Sequence, residues 1–158
     1  MTDAAIEILL VEDNAQDVEL TLHALRSENL GNKIQVVRDG EEALEFLARE
    51  KQQLAAGTCI LPKLILLDLK LPKIDGLEVL RQIKIDPITQ VIPVVILTSS
   101  KEDEDLVRSY RLGVNSYLQK PVDFGQFRKM VNQMGFYWLL LNQTPSGSAV
   151  GTDKSQVE

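Results

Sequence analysis

The feature that most restricts the fold is an alternation of two apolar periods along the chain. Residues 6–11 form an apolar run broken only by Glu7, and behind it Val18, Leu22 and Leu25 recur at helical spacing. Ile34, Val36 and Val37 repeat the strand signal, and Ala43, Leu44 and Leu47 form the next helical stripe. Residues 64–67 are wholly apolar, as a strand covered on both faces of a parallel sheet must be. After a turn-rich segment at residues 72–76 come Leu77, Leu80 and Lys84, with Val79 and Ile83 widening the face. Residues 92–97 are again apolar, and Pro93 stands near the start, where a strand tolerates the missing donor. A fourth helix opens on the acidic residues 102–105, which suit the positive end of a helix dipole. It continues through Leu106 and Tyr110 to a C-cap at Gly113. Residues 116–119 are a short fifth strand, and Phe124, Phe127, Val131 and Met134 mark a fifth helix. Five strand–helix units in series predict an α/β fold with a doubly wound parallel sheet.

A chain of 158 residues suits one such domain. We place it at residues 1–141, including a C-terminal helix extension, with a flexible polar tail at 142–158, where Ser, Gly, Thr and Gln accumulate. Residues 52–63, with Gly57 and Pro62, read as a surface loop. The formal net charge of −6 disfavours nucleic acid and anionic lipid as partners. No apolar run approaches the roughly 20 residues needed to span a bilayer, and no basic segment precedes the first one, so the expected location is the cytoplasm. The single cysteine, Cys59, excludes an intramolecular disulfide or a thiol metal cluster and fits a reducing compartment.

In sheets of this kind ligands bind outside the carboxyl ends of the strands. The first strand ends in Glu12-Asp13, the third in Asp68, the fourth in Thr98-Ser99-Ser100 and the fifth in Lys120. Each alone is an ordinary cap, turn or loop residue. Together they are harder to accommodate, because three carboxylates in one crevice repel one another unless a cation joins them. Oxygen ligands without His or Cys select a hard cation such as Mg²⁺. A carboxylate beside Mg²⁺, a lysine and a hydroxyl make up a phosphoryl-transfer site, with Asp as a nucleophile that forms an aspartyl phosphate. The chain has neither a P-loop nor a Gly-rich loop, so the donor is expected to be an activated phosphate other than ATP.

At these positions the sequence resembles the receiver domain of bacterial two-component response regulators. The matching pieces are Val11-Glu12-Asp13-Asn14, Leu67-Asp68-Leu69-Lys70-Leu71-Pro72 with Asp75-Gly76, Leu97-Thr98-Ser99, and Lys120-Pro121, over about residues 6 to 134. Within that family it looks most like the stand-alone, phytochrome-associated regulators, through residues 113–117 and 120–124 and the aromatic run Phe136-Tyr137-Trp138. The resemblance implies a flavodoxin-like (βα)5 sheet in strand order 2-1-3-4-5. It implies that Asp68 accepts a phosphoryl group from a phosphohistidine of a sensor histidine kinase. Asp13, Asp68, the backbone carbonyl of Lys70, and Glu12 directly or through water would bind Mg²⁺. Lys120 would pair with the phosphoryl oxygens beside a cis Lys120–Pro121 bond. Thr98 would swing toward the phosphoryl group, and Tyr117 would follow as the switch aromatic. Such a protein catalyses only its own phosphorylation and dephosphorylation.

Two positions depart from the family's usual pattern: Lys70, a long cation two residues past Asp68, and Ser99, larger than the small residue common after Thr98. A haloacid-dehalogenase-like phosphatase shares the Asp, Mg²⁺, Thr and Lys set, but its nucleophile ends the first strand and a second Asp follows two residues later. A mononucleotide binder would want a phosphate-cradling loop where Glu12-Asp13 stands. A degenerate receiver that only binds partners would lack some of the five key side chains, all of which are present. His23, the sole histidine, reads as a surface or boundary residue of the first helix, and Cys59 as inert. Residues 136–141 are six consecutive apolar residues that cannot all face one side. With helix 4, strand 5 and helix 5 they predict a homodimer interface. Output would pass through the changed surface, as dimerisation or as contact with, or phosphotransfer to, another protein.

Overall fold

The structure is a computed structural model, and it describes residues 7–27, 33–57, 61–99, 103–120 and 123–135. Five strands, β1 (Ile8–Val11), β2 (Ile34–Val37), β3 (Leu64–Leu67), β4 (Val94–Thr98) and β5 (Ser116–Gln119), alternate with helices α1 (Ala15–Ser27), α2 (Gly40–Ala55), α3 (Gly76–Ile85), α4 (Asp103–Arg111) and α5 (Phe124–Gly135). All strand pairs are parallel, in the order β2-β1-β3-β4-β5. This is the expected doubly wound sheet, with the order reversing beside β1.

Side chains alternate across the sheet with the strand period of two. Leu9, Val11, Ile65, Leu67, Val94 and Ile96 face α2 and α3, meeting Phe46, Leu47, Leu80 and Ile83. Ile8, Leu10, Leu64, Leu66, Val95 and Leu97 face α1 and α5, meeting Val18, Leu25, Phe127 and Val131. The four residues of β3 are fully buried, each contributing about 1.5–3 kcal/mol through the apolar surface it removes from water. The register aligns Val11 with both Val37 and Leu67, and Leu67 with Ile96. The residues that follow β1 and β3 therefore emerge side by side.

Three expectations shift. Ile92 and Pro93 lie outside the fourth strand, because a 3₁₀ turn at Thr89–Val91 delivers the chain to Val94, and the strand runs on through Thr98. Helix α2 continues to Ala55 and ends against Gly57, whose φ of 76° permits the turn, so the loop starts later than residue 52. On α4 the stripe read as its packing face is exposed: Leu106 is 38% and Tyr110 54% accessible, while Asp105 and Ser109 are buried. The apolar contact of this segment is made by its end instead. Gly113, at φ 96°, gives its N–H to Tyr110 O and Val114 N–H reaches Ser109 O, a Schellman cap that seats Leu112 and Val114 against the core. Ile6, Cys59, Ser100, Glu102, Pro121, the 136–141 run and the polar tail lie outside the described residues.

Candidate functional site

The site grows from the ends of β1 and β3. Glu12 N–H still bonds Val37 O at 3.0 Å, and Asp68 N–H bonds Val11 O at 3.0 Å, so the ladder carries both residues to the rim before the chain turns away. Asn14 then caps α1, its Oδ1 accepting Asp17 N–H at 3.0 Å while its own N–H donates to Glu12 Oε2 at 3.2 Å. Beyond Asp68 the loop folds tightly. Asp68 Oδ1 accepts Leu69 N–H at 2.7 Å, and Gly76 N–H donates to Leu69 O at 2.9 Å. A Cβ on Gly76 would lie 2.3 Å from Asp68 O and 2.5 Å from Leu69 Cα, so only glycine lets α3 start this close to the loop. Asp75 caps α3 by accepting Glu78 N–H.

One carboxylate oxygen from each of Glu12, Asp13 and Asp68 lies within 4.8 Å of the others; Glu12 and Asp68 are buried and Asp13 is exposed. Lys120 completes the cluster. Its backbone N–H bonds Thr98 O at 2.7 Å, tying it to the end of β4. Its ammonium lies 2.5 Å from Glu12 Oε1, 2.8 Å from Asp17 Oδ2 and 3.7 Å from Asp68 Oδ2, with only 7% of the side chain exposed. Burial pushes the Glu12 carboxyl up to about 7, and the neighbouring Asp68 charge adds to this against the opposing pull of Lys120. Burial also works against the Lys120 ammonium. Its hydrogen bonds to Asp17 and Glu12, with the charges of Asp68 and Glu12, outweigh that and hold it above the ordinary lysine value. A crevice with this surplus of negative charge, all of it on oxygen, fits a hard divalent cation.

Glu12, Asp13, Asp68 and Lys120 thus converge as the sequence suggested. Thr98 is fully buried at the end of β4, and Tyr117, half-buried on β5, is aligned with Ile96 and packs on the same face of the sheet. The Lys70 side chain reaches α4. It is 60% exposed and its ammonium lies 3.5 Å from Oδ2 of the buried Asp105 on α4. A cleft of about 500 Å³ beside the trio includes Asp13, Lys70, Asp75, Asp105 and Arg108 in its lining. His23 is exposed on α1. Sequence reasoning missed Asp17: an acid in the first turn of a helix is ordinary there, and nothing local signals a partner 103 residues away. Among the described residues no helix is long and apolar enough to cross a membrane.

The fold has counterparts among known proteins. The family model of the response regulator receiver domain matches residues 8–132. Response regulator Rcp1 of Synechocystis sp. is 42% identical over 132 residues, 84% of this chain and 88% of that protein. Its Mn²⁺-bound crystal structure superimposes with a TM-score of 0.77 at 41% identity, covering 89% of this chain and 99% of that one. The crystal structure of the phosphorylated cyanobacterial phytochrome response regulator RcpA gives a TM-score of 0.78 at 41% identity, over 90% and 99% of the two chains. A probable methanogenesis regulatory protein, FilR2 of Methanothrix harundinacea, is 44% identical over 138 residues, 87% of this chain and 86% of that one.

Proposed function

Because this chain belongs to the response regulator receiver domain family, we propose that Asp68 is its phosphoacceptor and that the donor is a phosphohistidine of a phytochrome-type sensor histidine kinase. The observation that carries this reading is the Glu12–Asp13–Asp68 trio, two of its members buried, closed on one side by Lys120. The likeness to Rcp1 and RcpA supports the choice of kinase.

Receiver domains bind a divalent metal at this acidic pocket, as the Mn²⁺-bound Rcp1 structure illustrates. Here the ion is assigned as Mg²⁺, held by Asp13, Asp68 and the Lys70 carbonyl, with Glu12 direct or through water. It would supply charge neutralisation to the transferring group. The chain's own residues do the rest. Asp68 Oδ1 is occupied by Leu69 N–H, which leaves Oδ2, the oxygen nearer Lys120, to attack phosphorus as the P–N bond to the kinase histidine breaks. Lys120 then offsets the charge on a phosphoryl oxygen. Thr98 turns toward the phosphoryl group and Tyr117 inward, which changes the surface of α4 and β5.

That surface already exposes Leu106, Val107 and Tyr110 on α4. We assign α4, β5, α5 and Phe136, Tyr137 and Trp138 to a homodimer interface, with a downstream phosphotransfer protein as a further partner and the cytoplasm as its location. The receiver is placed at residues 1–141 and a polar tail at 142–158. A haloacid-dehalogenase-like phosphatase is disfavoured because the candidate nucleophile follows β3 and Lys70 stands where the second Asp would be. A binding-only receiver is disfavoured because the trio and Lys120 are assembled.

The test is incubation with Mg²⁺ and acetyl phosphate or beryllofluoride, comparing wild type with Asp68→Asn. With acetyl phosphate, wild type should gain one phosphoryl group labile to alkali and hydroxylamine, and Asp68→Asn none. A wild type that takes up phosphoryl from neither a small donor nor a cognate kinase overturns the reading. Sedimentation with and without beryllofluoride tests the dimer: a monomer in both states at micromolar concentration removes that assignment.

A further inference from the structure

We propose that Asp17 is a positioning residue for Lys120, a competing carboxylate that restrains the lysine from the phosphoryl group and so sets how tightly that group is held. The inference rests on the reading of Asp68 and Lys120 given above and extends it to a residue outside the acidic trio.

The ammonium of Lys120 has three protons to donate. Two are engaged, by Glu12 Oε1 at 2.5 Å and Asp17 Oδ2 at 2.8 Å, whereas Asp68 Oδ2, at 3.7 Å, is beyond hydrogen-bond reach. Asp17 is well placed to hold on. It lies in the first turn of a 13-residue helix, its N–H is fixed by the Asn14 cap, and its side chain is only 31% exposed. Its partner is equally fixed, because Lys120 N–H is bonded to Thr98 O. Neither end of the pair can drift without disturbing a helix start or a strand end.

The two carboxylates on Lys120 differ in kind. Glu12 belongs to the trio that can hold a cation, and a cation there would draw its oxygens away from the lysine. Asp17 is not part of the trio, so its grip on Lys120 persists when the trio is filled. A phosphoryl group on Asp68 must then compete with Asp17 for the same ammonium. Removing the Asp17 charge frees the lysine without removing a cation ligand, and this separates two affinities that a general loosening of the site would change together.

The experiment is calorimetric titration of the full chain with Mg²⁺, and then with beryllofluoride at saturating Mg²⁺, for wild type, Asp17→Asn, Asp17→Ser and Asp17→Glu, each with a thermal melt. Asp17→Asn and Asp17→Ser should bind beryllofluoride roughly three- to tenfold more tightly, the worth of one charge-assisted pair. Their Mg²⁺ affinity should stay within about twofold of wild type, and Asp17→Glu should behave as wild type. In a Lys120→Met background, loaded at high acetyl phosphate, Asp17→Asn should leave the rate of phosphoryl loss unchanged. Equal or weaker beryllofluoride binding in both folded variants, or an effect that survives Lys120→Met, overturns the proposal. Failure of wild type itself to bind beryllofluoride overturns the reading beneath it instead.

Discussion

Two lysines are withdrawn from water at opposite ends of the same sheet, and the sheet answers their charges in different ways. Lys84, on α3 at the amino end, donates to Gln90 O at 3.1 Å, Ile92 O at 3.0 Å and Asn115 Oδ1 at 3.3 Å. The same Asn115 oxygen accepts Val94 N–H at 2.8 Å. These are neutral dipoles, and burial lowers the Lys84 ammonium to about 8. Lys120, at the carboxyl end, sits among carboxylates and is held above its ordinary value despite burial. The amino end is a matched network in which one cation ties α3, the 3₁₀ turn and the approach to β5. At the carboxyl end, the trio and Asp17 carry more negative charge than Lys120 can answer. Unanswered charge marks chemistry awaiting a partner, whereas a satisfied network marks architecture.

The comparison breaks most visibly at Lys120. Lys120→Met should lower beryllofluoride affinity at least about 100-fold, the worth of a desolvated charge pair. It should also cost about 3 kcal/mol of metal-free stability by stranding buried Glu12. Adding Glu12→Gln should recover much of that stability in denaturant melts, but none of the affinity. Next comes Gly76→Ala, where the Cβ collides with backbone at 2.3 Å. A loss of about 3 kcal/mol is expected, together with weakened metal binding, because α3 must move away from the loop that carries Asp68.

At the other end, Lys84→Met should cost about 2 kcal/mol at pH 7 by removing the ammonium that three acceptors share, with phosphoryl uptake unchanged. The lysine also gives this end a pH signature. Its folded pKa, about 8, lies below the ordinary 10.5, so between those values the unfolded chain binds more protons and stability rises with pH. Below pH 8 the cost of burying the charge is fully present. Denaturant midpoints should show wild type gaining on Lys84→Met from pH 8 to 10.5, by at most about 3 kcal/mol. The smallest effect is Lys70→Met. Its pair with Asp105 is 60% exposed on the lysine side, so stability should change by less than about 1 kcal/mol; a larger change would show that the cleft depends on this strap.

Sequence reasoning reached the fold because strands buried on both faces must be continuously apolar, as Leu64–Leu67 is. It reached the rim residues because strand ends are fixed by where those runs stop. It failed on α4, where Leu106 and Tyr110 have helical spacing yet face outward. A nine-residue helix can be anchored by the cap that follows it, and periodicity does not register a Schellman turn. It failed on Asp17 for a different reason. The residue type is ordinary at a helix start, and its meaning comes only from the arrival of Lys120.

That arrival has a consequence for how the protein is made. Lys120 meets Glu12 across 108 residues and Asp17 across 103, and β5 is the last strand of the sheet. Contacts of such sequence separation close late, and during synthesis the residues of β1, β3 and β4 emerge before Lys120 does. A chain truncated before β5 lacks that ammonium, and with it Phe127, Val131 and Met134 of α5, which cover one face of the sheet. Competence to receive a signal is in effect a proofreading mark, granted only to chains whose last strand has docked.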